Sequence, residues 1–217
     1  VPALVLAVLL SGCGTLTSLT TARPAKPGHL SVALEGGAMA TRSPGWGGNN
    51  EAPIVAATTR LGVSEDFELG LRVGNVRPEM LFKVLLTERN APVAFALEPT
   101  FGVWGYETSA GQSVLVYSTI SGLLAIDAGG FSDVIIAPKV EVTMGWQLED
   151  QAWGGAVTAA LGLGWFARAT EWLAFVPEIV GGVHVVHFGT GGGVAGQGFV
   201  LQAALGIVFG GDRGFEL

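Results

Sequence analysis

The chain has 217 residues, of which 49% are hydrophobic and only 13% charged, with a formal net charge of −7 and a mean hydropathy of +0.51. Soluble domains carry about 25% charged residues, so there is too little charge here to cover a water-facing surface, and an ordinary soluble globule is excluded. No uninterrupted apolar stretch reaches the roughly 18 residues of a transmembrane helix, which leaves the apolar residues spread over alternate positions of strands.

Residues 1–10 are nearly all aliphatic, long enough for the apolar part of a signal peptide and too short for a membrane helix of roughly 20 residues. The run stops at Leu10-Ser11-Gly12-Cys13, and Cys13 is the only cysteine, so no intramolecular disulfide can form. This tetrapeptide resembles the lipobox of bacterial lipoproteins. The resemblance implies that 1–12 is a lipoprotein signal peptide. It also implies that Cys13 becomes a lipidated N-terminus, bearing diacylglycerol and palmitate and anchored on the periplasmic side of the outer membrane. Gly14, standing where an Asp would favour retention at the inner membrane, permits that export. An ordinary signal peptide with an incidental cysteine is the alternative. Residues 13–28, with Thr15, Thr17, Ser18, Thr20, Thr21, Pro24 and Pro27, have neither period nor apolar content and read as a flexible tether.

From 29 to 210 the pattern is one of strands. In Phe67-Glu68-Leu69-Gly70-Leu71-Arg72-Val73-Gly74 one face is wholly apolar and the other is Glu, Gly, Arg, Gly, the period of two of a strand between two environments. Met80, Phe82, Val84 and Leu86 alternate in the same way with Lys83 and Thr87, and Phe199, Leu201, Ala203, Leu205 and Ile207 with Gln202, Ala204 and Gly206. Reading between turn signals predicts strands at 29–40, 53–62, 66–75, 78–87, 92–104, 114–126, 132–147, 153–167, 172–187 and 197–209, followed by a tail at 211–217. Connections at 63–66, 89–91, 127–130 and 167–170 are short, whereas those at 41–52, 105–113 and 189–196 are longer and Gly-rich. Short turns on one side and long loops on the other match outer-membrane barrels. The expected fold is therefore all-β, an antiparallel up-and-down transmembrane β-barrel of about ten strands.

Bulk decides which face points outward. The apolar face carries Leu, Val, Ile, Phe and Trp, whereas the opposite face is dominated by Gly, Ala, Thr and Ser, which would make a poor exterior for a soluble barrel. Trp153 and Trp165 share the apolar face, 12 residues apart. At about 3.3 Å per residue and a tilt near 40° they are separated by roughly 30 Å of height, suited to the two aromatic girdles flanking an apolar band of about 25 Å. Core tryptophans are the competing reading. Pro99, Pro138 and Pro177 recur every 39 residues, each inside a predicted strand, and a closed barrel has no free edge to absorb their missing N–H. Bulges or distorted pairs are expected at that height.

By parity the inward charged residues are Glu35, Arg60, Glu68, Arg72, Lys83, Glu98, Lys139, Glu141 and Glu178, five acids and four bases. Such a balance in a narrow lumen predicts a salt-bridge network that plugs it, whereas one dominant sign would suit a water-filled pore. A catalytic centre is not supported. His184 and His187 lack the Asp partners of the omptin proteases and the His-x-Ser spacing of the lipid A deacylases, and alternation sends their rings to opposite faces. No metal motif and no cofactor-binding motif occurs, the Gly-rich run at 189–193 lacks the Lys of a phosphate loop, and no nucleic-acid partner is expected.

Residues 29–210 as a whole resemble the small bacterial outer-membrane β-barrels, without matching a particular subfamily. One departure is the chain end, which runs past Phe209 to Phe215-Glu216-Leu217 where such barrels commonly finish on an aromatic residue. The expected function is a non-enzymatic surface scaffold or interaction module in the bacterial outer membrane. Its expected partner is the lipid bilayer, with a lipid anchor at Cys13; a protein partner at the external loops is left open by the sequence. A barrel enzyme working at the rim and a small channel are the alternatives.

Overall fold

The computed structural model describes residues 16–43, 48–74, 78–108, 111–129, 132–147, 152–189, 198–210 and 215–216; the lipobox and Cys13 lie outside them. The strands are β1 (His29–Ser43), β2 (Gly48–Gly62), β3 (Phe67–Gly74), β4 (Glu79–Leu85), β5 (Val93–Thr108), β6 (Gly111–Gly129), β7 (Ser132–Gln147), β8 (Ala152–Arg168), β9 (Leu173–Gly189), β10 (Phe199–Phe209) and β11 (Phe215–Glu216). Each pairs antiparallel with its chain neighbour through β10, and β10 returns to β1 from Val32↔Phe209 to Arg42↔Phe199. The result is a closed ten-stranded antiparallel barrel, which leaves no strand edge unpaired around its circumference. Just below β10, β11 continues the wall through His29↔Glu216 and Leu30↔Phe215, so part of the expected tail is strand.

Alternation accounts for the two surfaces. Leu161, Leu163 and Trp165 of β8 and Phe175, Ile179 and Val183 of β9 face outward, while Ala156, Thr158, Phe166, Val176 and Val180 face in. Bulky aliphatic and aromatic side chains therefore cover the outside, and the interior holds small residues, charges and two apolar clusters.

We call the mouth where β1 begins the lower one, bounded by the connections 63–66, 86–92, 130–131 and 169–172. At the upper mouth the expected loops 41–52 and 105–113 shrink to 44–47 and 109–110, because the strands run on through Arg42↔Asn49 and Glu107↔Gln112. These strand ends are polar on both sides, so they carry no alternation to read.

Of the two outcomes expected at the prolines, bulges or distorted pairs, the structure shows the second. The register passes unshifted through Pro99↔Ile120, Pro138↔Leu161 and Pro177↔Leu205. On its other side each proline faces a gap in the pairing, between Leu81↔Thr100 and Val84↔Leu97, between Ser121↔Lys139 and Leu124↔Ile136, and between Gly164↔Glu178 and Ala167↔Phe175. A missing N–H is thus absorbed by omitting the local pairs in register, and the shear of the barrel is preserved. The bulges occur elsewhere, near Asp127 and at Val185.

Candidate functional site

The lumen is occupied by the chain's own N-terminal segment. Residues expected to form a free tether run down the inside of the barrel instead: Leu16, Thr17, Ser18, Leu19, Thr20, Thr21, Ala22 and Ala25 are all buried. At the lower mouth Gly28 donates its N–H to the Gly62 carbonyl at 2.8 Å, and Pro27 bridges to Gly62. A Cβ at Gly62 would collide with the carbonyls of Ala25 and Lys26, so only a glycine lets the segment turn in at that height. Above it, Leu19 packs against Gly206, and Leu16 joins Met39, Ile54, Val180 and Val200 in the upper apolar cluster. Small inward residues leave room for this added chain.

All nine inward charges named from parity are buried, and the structure brings them into groups around the segment. Arg60 bonds Glu68 at 3.1 Å and also pairs with Glu98, while Lys83, 1% exposed, lies 2.9 Å from Glu68. Arg72 pairs with Glu35 and lies 3.7 Å from Glu79; Lys139 meets Glu178 at 3.0 Å. Glu141 accepts hydrogen bonds from Thr143 at 3.0 Å and Thr119 at 3.3 Å.

Each group is completed by the segment. The Ser18 and Leu19 N–H groups both donate to Glu178 Oε2 at 2.8 Å, and the Ala25 N–H donates to Glu68 at 2.7 Å. Lys83 donates to Thr20 Oγ1 at 2.7 Å, Arg72 to the Thr17 carbonyl at 2.9 Å, Arg60 to the Ser18 carbonyl at 3.3 Å, and Lys139 to the Leu16 carbonyl. Thr17 Oγ1 donates to Glu35, and Gln202 Oε1 accepts the Leu16 N–H at 2.8 Å. An extended stretch without secondary structure has one free donor and one free acceptor per residue, and the lumen charges meet the N–H groups of Ser18, Leu19 and Ala25 and the carbonyls of Leu16, Thr17 and Ser18.

Five participants were not named from the sequence. Glu79, Asp133 and Gln202 share the inward parity of their strands but sit near strand ends or carry no charge. Arg23 had no periodic signal at all. It pairs with Asp133 at 2.9 Å and donates to the Ala91 carbonyl at 2.7 Å, and with Arg89, which donates to the Pro24 carbonyl at 2.8 Å, it ties the segment to the lower mouth. Beside the segment a cavity lined by Leu19, Thr21, Arg60, Glu68 and Phe166 measures about 20 Å³, room for a water or two.

His184 and His187 do not face opposite ways. Val157 pairs with Val186 and Thr158 with His184, so Val185 is the extra residue of a β-bulge, which resets the alternation. The two rings come within 5.3 Å, and His184 Nδ1 lies 2.9 Å from Thr158 Oγ1. Among the described residues no group of three or more His, Cys, Asp or Glu side chains could hold a metal ion. Trp153 and Trp165 both lie on the outer face of β8; Trp165 is 52% exposed, and Trp153 packs on Phe188 with centroids 6.1 Å apart.

No protein-family model matches the sequence, and no curated protein matches it. Among solved structures the chain is similar to Neisserial surface protein A, at 9% identity over 82% of this chain and 96% of that one with a TM-score of 0.44. It is also similar to Ail, the attachment invasion locus protein of Yersinia pestis, at 8% identity over 84% and 99% with a TM-score of 0.42. A third is the CymD monoaromatic hydrocarbon channel, at 6% identity over 88% and 90% with a TM-score of 0.37.

Proposed function

We propose that the protein is a bacterial outer-membrane β-barrel whose lumen is closed by its own N-terminal segment, and that it serves as a non-enzymatic surface scaffold or interaction module. The observation that carries this reading is the occupied lumen: buried charges neutralised in pairs, with an extended chain hydrogen-bonded among them. A conducting pore needs a continuous water path, and here the paired side chains and the segment occupy the lumen that would carry it. The outer face supports membrane embedding, since side chains such as Leu163, Trp165, Ile179 and Val185 are more than half exposed and would be driven inward in a soluble barrel. Trp153 and Trp165 suit the interfacial girdles. The lower turns face the periplasm in this reading, and the upper mouth, with the long connection 190–198, faces outward.

Lipidation at Cys13 belongs to the same proposal and is tested by mass spectrometry of the mature N-terminus, which should carry a diacylglyceryl-modified Cys13; an unmodified N-terminus elsewhere removes the anchor. The barrel's role is tested by planar-bilayer recording. The protein should insert and stay electrically silent, and a steady ion conductance would replace the scaffold with a small channel.

A further inference from the structure

The segment has a direction as well as a place. Its lower end is fixed at Gly62, Asp133 and the Ala91 carbonyl, all at or next to the lower mouth. Its upper end, Leu16, lies among Met39, Ile54, Val180 and Val200 and bonds Gln202. Met39 is ten residues up β1 from His29 and four short of Ser43. At about 3.3 Å per residue and a tilt near 40°, that places Leu16 roughly 25 Å above the lower mouth and about 10 Å below the top of β1. The chain therefore climbs most of the barrel's height between residues 26 and 16, antiparallel to β1.

Resting on the plugged-barrel reading, we infer that the chain ahead of Leu16 leaves through the upper mouth, so that the barrel passes its own N-terminus across the membrane and presents it on the side opposite the start of β1. Two observations carry this. First, followed back from Lys26, the segment is still heading upward where it reaches Leu16 in the upper apolar cluster, about 10 Å below the top of β1. Second, beside the lower half of the segment the free space between Leu19, Thr21, Arg60, Glu68 and Phe166 measures about 20 Å³, too little for a second strand to pass down alongside it.

The test places an epitope in three positions of the full-length protein, one per variant: between Gly14 and Thr15, within 190–197, and in the lower turn 169–172. Antibody binding is compared on intact and permeabilised cells, with unboiled gels to check that each variant folds. The N-terminal epitope should behave like the one in 190–197 and opposite to the one in 169–172. Siding with 169–172 overturns the inference. Orientation is judged separately: an epitope in 190–197 that is hidden on intact cells overturns the outward placement of the upper mouth, whichever epitope the N-terminus follows. Should the first insertion prevent folding, a Thr15→Cys variant that keeps Cys13, labelled with a membrane-impermeant maleimide beside the parent protein, gives the same discrimination, labelling on intact cells supporting the inference and labelling only after permeabilisation overturning it.

Discussion

Glu178 is where one substitution should separate the segment from the wall. Its Oε2 accepts the N–H groups of Ser18 and Leu19 at 2.8 Å each, and its Oε1 lies 3.0 Å from the Lys139 ammonium, which is 3% exposed. Glu178→Ala leaves a buried cation without its carboxylate, about 3–5 kcal/mol, and orphans two buried N–H groups at about 1–3 kcal/mol each. Lys139 keeps Ser18 Oγ and the Leu16 carbonyl, and water can enter the vacated space, so the low ends apply and the expected loss is about 5 kcal/mol. At about 1.4 kcal/mol per tenfold, the ratio of seated to unseated segment falls by roughly three to four orders of magnitude. The wall keeps its backbone pairs at Ala204↔Glu178 and Gly164↔Glu178 whatever the side chain. The variant should therefore still migrate as a folded barrel on unboiled gels, lose thermal stability in detergent, and show intermittent openings in planar bilayers. Glu178→Gln, which keeps one acceptor oxygen without the charge, should fall between. An alanine variant as silent and as heat-stable as the parent would refute the reasoning, because the segment would then owe nothing to this carboxylate.

Lys83→Met and Glu68→Gln should each destabilise by about 3–5 kcal/mol, and the double variant by less than their sum, measured as a double-mutant cycle in urea; strict additivity would mean that the 2.9 Å pair is solvated. Gly206→Leu should unseat the segment at about 1–3 kcal/mol, because a Cβ there already approaches Leu19 to 3.1 Å, whereas Gly181→Leu, with nothing within 4 Å, should be silent by the same conductance assay. Brominated lipids should quench Trp165 fluorescence, read as the difference from Trp165→Phe; equal quenching of both proteins would take the outer face of β8 out of the bilayer.

The barrel was legible because its wall obeys one rule. Phe67 to Gly74 alternates in sequence and in burial, and the same parity places Lys83, Lys139 and Glu178 inside. Legibility ended where a different physics took over. Above the apolar band, Arg42, Asn49, Asn50 and Glu107 need no apolar outer face, so their strands look like loops. Val185 breaks the parity that separates His184 from His187, and nothing in Val-His-Val-Val-His marks a bulge. The segment at 16–26 was opaque for a further reason: it has no regular partner, and its order comes wholly from side chains distant in sequence, as when Leu16 meets Gln202 and Ser18 meets Glu178.

A trace of the segment was nonetheless present in the wall. Among the described residues the buried acids are Glu35, Glu68, Glu79, Glu98, Asp133, Glu141 and Glu178, against the buried bases Arg60, Arg72, Lys83 and Lys139. Even with Arg168 of the wall, which lies 3.4 Å from Asp133, seven carboxylates outnumber the cations of a confined lumen, and the surplus must be met by other donors or by protonation. Arg23 supplies one cation, to Asp133, and the N–H groups of Ser18, Leu19 and Ala25 supply three charge-assisted bonds, to Glu178 and Glu68. The same wall is lined with Gly and Ala where a self-sufficient narrow barrel would fill its interior with side chains. Excess acid and missing bulk point to one deficit, an absent polar chain with free N–H groups, and residues 16–26 fit it in both respects. The segment is thus part of the folded unit rather than a leader attached to it, and a barrel assembled without it would enclose repelling carboxylates around a void.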